Sequence, residues 1–307
     1  MTATPPSRRT ILGSALMAGF GTPPGHGKTA GTDFVLVHGA WHSGAAWADV
    51  SFELAAAEAR VCALDLPGAG PNARFPKSYL TAGQPGLTTE ASPLRNLTLD
   101  DTADAVVAAL RRLRGARRRV VLVAHSLGGL TVTRAAEKAP ELVDHLVYVA
   151  ALVPTLLGSA AAYLRLPEAG PRYPGLYVGD PAAIGATRIN FRSTDAGYRD
   201  LLHRTFYGDV DEERFLAFAH GLVPDNPTAI AAAEVGATRE RWGPIPRSYV
   251  LTTQDRVVTP ALQRRMIDDA DRFTPAHRFR VASLESSHSP FASRPEELAR
   301  LIRTLSA

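Results

Sequence analysis

One stretch of the chain, residues 120–129, constrains the fold more than any other. Residues 120–123 form an apolar, β-branched run that predicts a buried strand, and an alanine-rich helical pattern covers 130–139. Between them lies the pentapeptide AHSLG at 124–128, which places Ser126 on a turn from strand to helix. Such a turn needs small neighbours because the backbones crowd there, and Ala124 in place of glycine adds only one methyl group. The context favours a nucleophilic serine at 126, and a core serine is the alternative.

Apolar runs elsewhere in the chain alternate with helical patterns in the same way. The other predicted strands are 34–37, 61–64, 146–151, 248–252 and 277–282. Strands that are apolar throughout and are followed by helices predict an α/β fold, with a mostly parallel, doubly wound sheet covered on both faces.

The alternation stops over residues 154–234. Short helical pieces, many glycines and prolines and scattered aromatic side chains predict a helical lid there, the insert (154–234). The α/β core is therefore predicted at 31–153 and 235–307. Within the core, 71–97 show no sustained period and predict a long loop, which in a compact domain tends to serve function.

A serine hydroxyl needs a base to become a nucleophile, and the base needs a carboxylate to orient it. Asp255 directly follows the predicted strand 248–252, and His288 lies between the last strand and the last helix. The order serine, acid, histidine along the chain fits this fold, and all three residues fall at the carboxyl ends of strands. Ser126, Asp255 and His288 are therefore the predicted catalytic residues. The rival histidines, at 203, 220 and 277, fall in the insert or at the start of a strand.

Acyl transfer also needs donors for the developing oxyanion. The backbone N–H of Leu127, at the start of the helix after Ser126, is one candidate, and the N–H of Ala40, in the loop after the first strand, is the other. Gly39 would let that loop come close to the substrate; an ordinary tight turn is the alternative. Trp41 and His125 are the candidates for contacts with substrate, although His125 precedes the nucleophile and packing is its alternative role.

With these residues in place, the chain resembles the α/β-hydrolase branch that contains methylesterases, salicylate-binding esterases and hydroxynitrile lyases. The matching segments are VLVHGA at 35–40, ALDL at 63–66, VAHSLGG at 123–129, YVAALVP at 148–154 and ESSH at 285–288. The resemblance covers most of 33–153 and 245–300, and the insert aligns only in outline. It implies the same triad, with Ala40 and Leu127 as oxyanion donors.

The resemblance also favours one reaction over another. The lyases of this branch have a lysine directly after the catalytic histidine, whereas Ser289 stands there in this chain, and Gly39 replaces a bulkier loop residue. The expected function is therefore a serine esterase that cleaves a carboxylic ester or a lactone with an apolar moiety. The alternatives are a hydroxynitrile lyase or cofactor-free peroxidase with the same triad, and a ligand-binding protein without catalysis.

The sequence predicts no cofactor, no metal site and no nucleic-acid partner. A single cysteine, Cys62, excludes an intrachain disulfide and falls in a strand pattern that predicts a buried, inert thiol. The dense arginine cluster at 111–119 closes a helix and is interpreted as a solvated face. A small-molecule ester is the expected partner, and the protein is expected to be a monomer or a homodimer.

The first thirty residues read as a targeting segment. SRRTIL at 7–12 and the apolar run 11–20 resemble a twin-arginine export signal and linker, and that run is too short for stable membrane insertion. Removal of 1–30 would remove Arg8, Arg9 and Lys28 and no acid, so the net charge would fall from +4 to +1. The protein is therefore expected in the periplasm or outside the cell, or in the cytoplasm if 1–30 is only a tail.

Overall fold

A computed structural model describes residues 31–113, 118–171 and 175–307. Its main sheet has the strand order β2-β1-β3-β4-β7-β8, and every neighbouring pair is parallel. These strands are β1 (Thr32–Val37), β2 (Arg60–Leu64), β3 (Arg119–His125), β4 (His145–Val149), β7 (Arg247–Thr252) and β8 (Arg280–Leu284). The insert adds a small antiparallel pair, β5 (Ala186–Arg188) and β6 (Asp225–Pro227).

Helices cover both faces of the main sheet. Those of the core are α1 (Ala48–Ala56), α2 (Lys77–Leu80), α3 (Leu99–Leu113), α4 (Gly128–Lys138), α10 (Pro260–Phe273), α11 (Pro290–Ser293) and α12 (Pro295–Leu305). Those of the insert are α5 (Ala160–Tyr163), α6 (Pro181–Ile184), α7 (Ala196–Phe206), α8 (Glu212–Ala219) and α9 (Thr228–Ala232). The predicted α/β-hydrolase fold is thus confirmed.

Alternate side chains of the strands pack into two separate hydrophobic cores, one on each face of the sheet. Val35, Leu122 and Tyr148 point to one face, where they pack with apolar side chains of α3, α4 and α10. Their neighbours Leu36 and Val123 point to the other face, where α1, α12 and part of the insert cover them. Because both faces are buried, the strands read as continuous apolar runs rather than as alternating patterns.

Local sequence sets where several helices begin. The Thr98 hydroxyl accepts a hydrogen bond from the Asp101 N–H (3.2 Å), and the Asp101 carboxylate accepts one from the Thr98 N–H (2.9 Å), which caps the start of α3. The Thr259 hydroxyl accepts from the Leu262 N–H at 3.2 Å, and Pro260 opens α10.

A buried ion pair ties the insert to the predicted long loop 71–97. Arg188 and Asp225 are joined by two hydrogen bonds of 2.6 and 2.8 Å. The same guanidinium donates to the carbonyl oxygens of Leu87 (2.6 Å) and Glu90 (2.9 Å). A buried pair with this many partners is costly to break, so it fixes the loop against the insert.

Some boundaries differ from the prediction. β4 ends at Val149 rather than at 151, because Ala150 takes a positive φ of 46° and turns the chain away. The last strand begins at Arg280 rather than at 277, because the His277 N–H closes a turn onto the Thr274 carbonyl (2.9 Å). Cys62 is half-buried in the edge strand β2 rather than buried.

The predicted export signal at 1–30 lies outside the described residues, as does the 114–117 part of the arginine cluster. Over the described ranges, none of the helices is long and apolar enough to cross a bilayer.

Candidate active site

The sharp turn at Ser126 is held by backbone hydrogen bonds. Ser126 has a positive φ of 53°, which is unusual for a residue with a Cβ. Its N–H donates to the Val149 carbonyl (3.2 Å), and its own carbonyl accepts from Gly129 (3.1 Å) and Leu152 (3.0 Å). A Cβ at Gly128 would lie 2.5 Å from the His38 carbonyl oxygen, so the residue after Leu127 must be a glycine. The strained backbone conformation of Ser126 is thus held by contacts with other segments, as at many functional sites.

The three residues predicted as catalytic meet in a hydrogen-bonded row. His288 Nε2 lies 2.9 Å from Ser126 Oγ, and His288 Nδ1 lies 2.8 Å from Asp255 Oδ2. Ser126 is 7% exposed, His288 2% and Asp255 3%, so the row is largely shielded from water. Ser126 follows β3, Asp255 follows β7 and His288 follows β8, which brings residues 162 positions apart into contact.

The Asp255 carboxylate is surrounded by donors. Oδ1 accepts from the backbone N–H groups of residues 257 (2.7 Å) and 258 (3.0 Å). Oδ2 accepts from Thr252 Oγ1 (3.0 Å) and Gln263 Nε2 (3.3 Å) as well as from His288. Since a carboxylate can only accept, His288 Nδ1 carries a proton, and Nε2 is free to accept the proton of Ser126.

Gln263 is not among the residues predicted from the sequence. Its side chain is fully buried on the inner face of α10, next to the apolar Leu262 and Met266. A glutamine at a core position of an amphipathic helix is the signal that could have marked it, because buried amides need partners.

The two predicted oxyanion donors lie on opposite sides of the nucleophile. Leu127 immediately precedes α4, and Ala40 lies in the loop after β1. A Cβ at Gly39 would come within 2.7 Å of Ser126 Cβ, so this loop touches the nucleophile directly. Neither the Ala40 nor the Leu127 N–H donates a hydrogen bond to another group in the part of the chain that the structure describes. Both are therefore available to an oxygen that becomes negative at Ser126.

A cavity of about 480 Å³ opens above Ser126, between the core and the insert. Ser126, Ala40 and Leu127 lie at its base. The apolar side chains around it include those of Trp41, Leu152, Leu164, Leu176, Phe206 and Val257. The polar side chains include those of Thr187, Thr205, Asn226 and Thr228, and the cationic side chains are those of Arg165 and Arg256. A cavity of this size suits a small organic molecule with a mostly apolar body.

Trp41, predicted to contact substrate, does line the cavity. Its indole N–H donates to the Thr187 carbonyl (3.1 Å), and its ring centroid lies 5.7 Å from that of Phe206 in an edge-on arrangement. The ring is therefore fixed in the wall of the cavity by the insert.

His125, the other predicted substrate contact, lies below the triad and does not line the cavity. It is 1% exposed, and its Nε2 donates to the His288 carbonyl at 2.7 Å. Burial lowers the pKa of His125 well below its ordinary value, so the ring is neutral. Since neighbours on a strand point to opposite faces, the residue before the nucleophile turns into the core, where it supports the backbone of His288. The structure thus supports the packing alternative.

The rival histidines lie away from the row. His203 and His220 bond to backbone carbonyls of the insert, those of Val210 (2.8 Å) and Leu216 (2.7 Å) respectively, and His277 is exposed. Within the described ranges, no group of three or more histidine, cysteine, aspartate or glutamate residues is arranged to hold a metal ion.

The chain belongs to the alpha/beta hydrolase family, whose profile matches residues 34–301. Salicylic acid-binding protein 2 of Nicotiana tabacum is 29% identical over 245 residues, which cover 78% of this chain and 85% of that protein. Methyl jasmonate esterase 1 of Vitis vinifera is 27% identical over 281 residues, covering 89% and 95%. A solved pyrethroid hydrolase from Sphingobium faniae JZ-2 is 26% identical with a TM-score of 0.66, covering 90% of this chain and 97% of that one. Relatives named as esterases and hydrolases support ester hydrolysis as the reaction class.

Proposed function

We propose that this protein is a serine esterase that cleaves small carboxylic esters or lactones through an acyl-enzyme intermediate. The observation that carries the proposal is the row from Asp255 through His288 to Ser126, with bonds of 2.8 and 2.9 Å, at the base of a mostly apolar cavity. The geometry meets the requirement that nucleophile, base and orienting acid lie within hydrogen-bond reach of one another.

The reaction follows from the positions of the protons. Ser126 Oγ attacks the ester carbonyl while His288 Nε2 takes its proton, and Asp255 stabilises the imidazolium that forms. The carbonyl oxygen becomes negative and accepts hydrogen bonds from the N–H groups of Ala40 and Leu127. His288 then returns the proton to the departing alcohol oxygen. A water molecule attacks the acyl-enzyme by the same steps and releases the acid.

The lining of the cavity supports an apolar substrate moiety. The Phe206 ring lies 6.2 Å from that of His288, and Trp41 packs edge-on against Phe206. The charged side chains in the lining are those of two arginines. The relatives' names, methyl jasmonate esterase and pyrethroid hydrolase, agree with an ester of this kind. Ser289, which follows His288, supplies no cation for cyanide, so the lyase alternative has less support.

The direct test is Ser126→Ala in purified protein, with hydrolysis of a panel of p-nitrophenyl esters as the assay. The proposal expects activity to fall to the uncatalysed background, and expects wild type, but not the variant, to be labelled by a fluorophosphonate. Ser51→Ala is the matched control, because the Ser51 hydroxyl is buried in α1 without a hydrogen-bond partner in the described residues.

Three outcomes would contradict the proposal. Full activity in Ser126→Ala would show that another group performs the hydrolysis. Ester binding without turnover by wild type would favour the non-catalytic alternative, and release of cyanide from mandelonitrile without ester cleavage would favour the lyase.

A further inference from the structure

Three successive carbonyl groups in the loop after β1 are each fixed by a donor from outside the loop backbone. The Gly39 carbonyl accepts from His38 Nδ1 (2.8 Å), and the Ala40 carbonyl accepts from His42 Nδ1 (2.7 Å). The Trp41 carbonyl accepts from the Val223 N–H of the insert (2.9 Å). A peptide group is planar, so each bond fixes the direction of a whole peptide plane. The Gly39 carbonyl shares its peptide plane with the Ala40 N–H, and the Ala40 carbonyl belongs to the plane that follows. The two bonds together therefore fix Ala40, which carries one oxyanion donor, from both sides.

The hydrogen-bond partners of His42 determine which of its ring nitrogens carries the proton. The Ala40 carbonyl can only accept, so His42 Nδ1 carries the proton and Nε2 must accept. Tyr207 Oη lies 2.7 Å from that Nε2 and donates to it. Burial lowers the pKa of His42 to about 3, so the ring stays neutral at neutral pH. The result is a directed chain from the Tyr207 hydroxyl through the imidazole to the Ala40 carbonyl.

This chain crosses from the insert to the core. Tyr207 is the residue after α7, and it is 1% exposed. His42 is 3% exposed and lies against Phe291, with the two ring centroids 5.4 Å apart. Both groups are thus held in place by packing, and neither hydroxyl nor imidazole can be replaced by water without a rearrangement.

The loop needs such support. Trp41 has a positive φ of 62°, a conformation that clashes with the Cβ of a bulky side chain. A loop with this residue directly after Ala40 would relax if its bonds were lost. A shift of about 1 Å in a catalytic group can lower a rate by about a hundredfold.

We propose that His42 and Tyr207 are positioning residues: they fix the peptide plane that follows Ala40 and thereby keep the Ala40 N–H aimed at the oxyanion, so that the insert supports the oxyanion hole. The inference rests on the proposed esterase function. Neither side chain lines the main cavity, so neither contacts substrate there. Their effect should therefore appear in the transition state and not in the binding of the ester.

Three variants separate the two bonds of His42. In His42→Asn the amide nitrogen takes the place of Nδ1 and can still donate to Ala40, but the bond to Tyr207 is lost. In His42→Gln the amide reaches the place of Nε2, near Tyr207, and the bond to Ala40 is lost. Tyr207→Phe removes only the hydroxyl and leaves the ring packed. Tyr163→Phe is the matched control, because that buried hydroxyl of the insert bonds to Asp269 (3.0 Å), away from the loop.

The measurements are kcat and KM on a p-nitrophenyl ester and the inhibition constant of a trifluoromethyl ketone, which forms an oxyanion on the serine. We expect His42→Gln to lower kcat about 10- to 100-fold with KM within about twofold of wild type. His42→Asn and Tyr207→Phe should lose less than about tenfold, and Tyr163→Phe nothing. The inhibition constant should rise in parallel with the fall in kcat/KM.

Equal losses in His42→Asn and His42→Gln, or a Tyr207→Phe variant that matches Tyr163→Phe, would overturn the inference and leave the esterase function intact. A rise in KM with kcat unchanged would also overturn it, because that would mark a role in substrate binding. A wild-type protein without ester turnover would instead refute the proposed function, and with it the positioning role.

Discussion

Asp255→Asn tests the row of catalytic residues at its carboxylate end. Oδ1 of the native carboxylate accepts from two backbone N–H groups at 257–258, at 2.7 and 3.0 Å. Oδ2 accepts from Thr252, Gln263 and His288, at 3.0, 3.3 and 2.8 Å. An asparagine has one accepting oxygen, so it can satisfy only one of these two sets of donors.

The short backbone contacts decide which set is kept. The amide oxygen is expected to stay with the two N–H groups, which turns the amide NH2 toward His288 Nδ1. The imidazole must then accept at Nδ1 and carry its proton on Nε2, where it can no longer take the proton of Ser126. A wrong tautomer of this kind costs about 10⁴ in kcat, or about 5 kcal/mol of transition-state stabilisation. The donor–donor contact left at Gln263 should also cost about 1–3 kcal/mol of folding free energy.

The assay is kcat on p-nitrophenyl acetate together with urea unfolding of the same protein. Asp269→Asn is the control, since Asp269 is also a buried acid, accepting from Tyr163 and Arg265 at 3.0 Å each. It should lose stability to a similar extent and keep its kcat. If Asp255→Asn kept more than about a tenth of the wild-type kcat, Asp255 would not set the tautomer of His288, and the reasoning would be wrong.

The remaining predictions concern the loop, the pH dependence and the cavity. Gly39→Ala places a Cβ 2.7 Å from that of Ser126, so kcat on a p-nitrophenyl ester should fall about 10- to 100-fold. Gly197→Ala, on the open surface of α7, should match wild type. Equal kcat values for the two variants would contradict this prediction. Burial lowers the pKa of His145 to about 4, so its neutral form stabilises the fold above pH 6.5, and that stabilisation is lost as the pH falls toward 4. In His145→Gln the unfolding free energy should therefore fall less steeply over this window, by up to about 1.4 kcal/mol per pH unit. An unchanged slope in urea titrations at these pH values would argue against the assignment. Ala161→Phe should narrow the cavity and raise KM for bulky acyl esters while acetate is little affected, and a uniform change across the ester panel would count against the assigned cavity.

Several features followed from local sequence because they depend on neighbours in the chain. The run at 120–123 predicts a strand whose every side chain is buried, as β3 shows. The cap at Thr98 lies where a hydroxyl precedes a helical pattern. The positions of Asp255 and His288 could be predicted because the carboxyl ends of parallel strands meet at one edge of a sheet.

Other features join residues that are far apart in the chain, and the sequence carries no local signal for them. The pair Arg188–Asp225 and the bond from Tyr207 to His42 each depend on how separate elements pack. The antiparallel strands β5 and β6 are three residues each, too short to show a period among the helical pieces of the insert.

The sequence by itself determined the sheet, its parallel strands and the chain order of an alcohol, a carboxylate and an imidazole, because strand periodicity and turn chemistry are properties of short segments. Only the tertiary structure decided that the three groups lie within hydrogen-bond distance, that His125 faces the core, and that the insert is bonded to the oxyanion loop. Those outcomes depend on contacts of 2.7 to 2.9 Å between segments that lie 33 to 165 residues apart in the chain. Packing of the whole molecule sets such distances, and no single segment does.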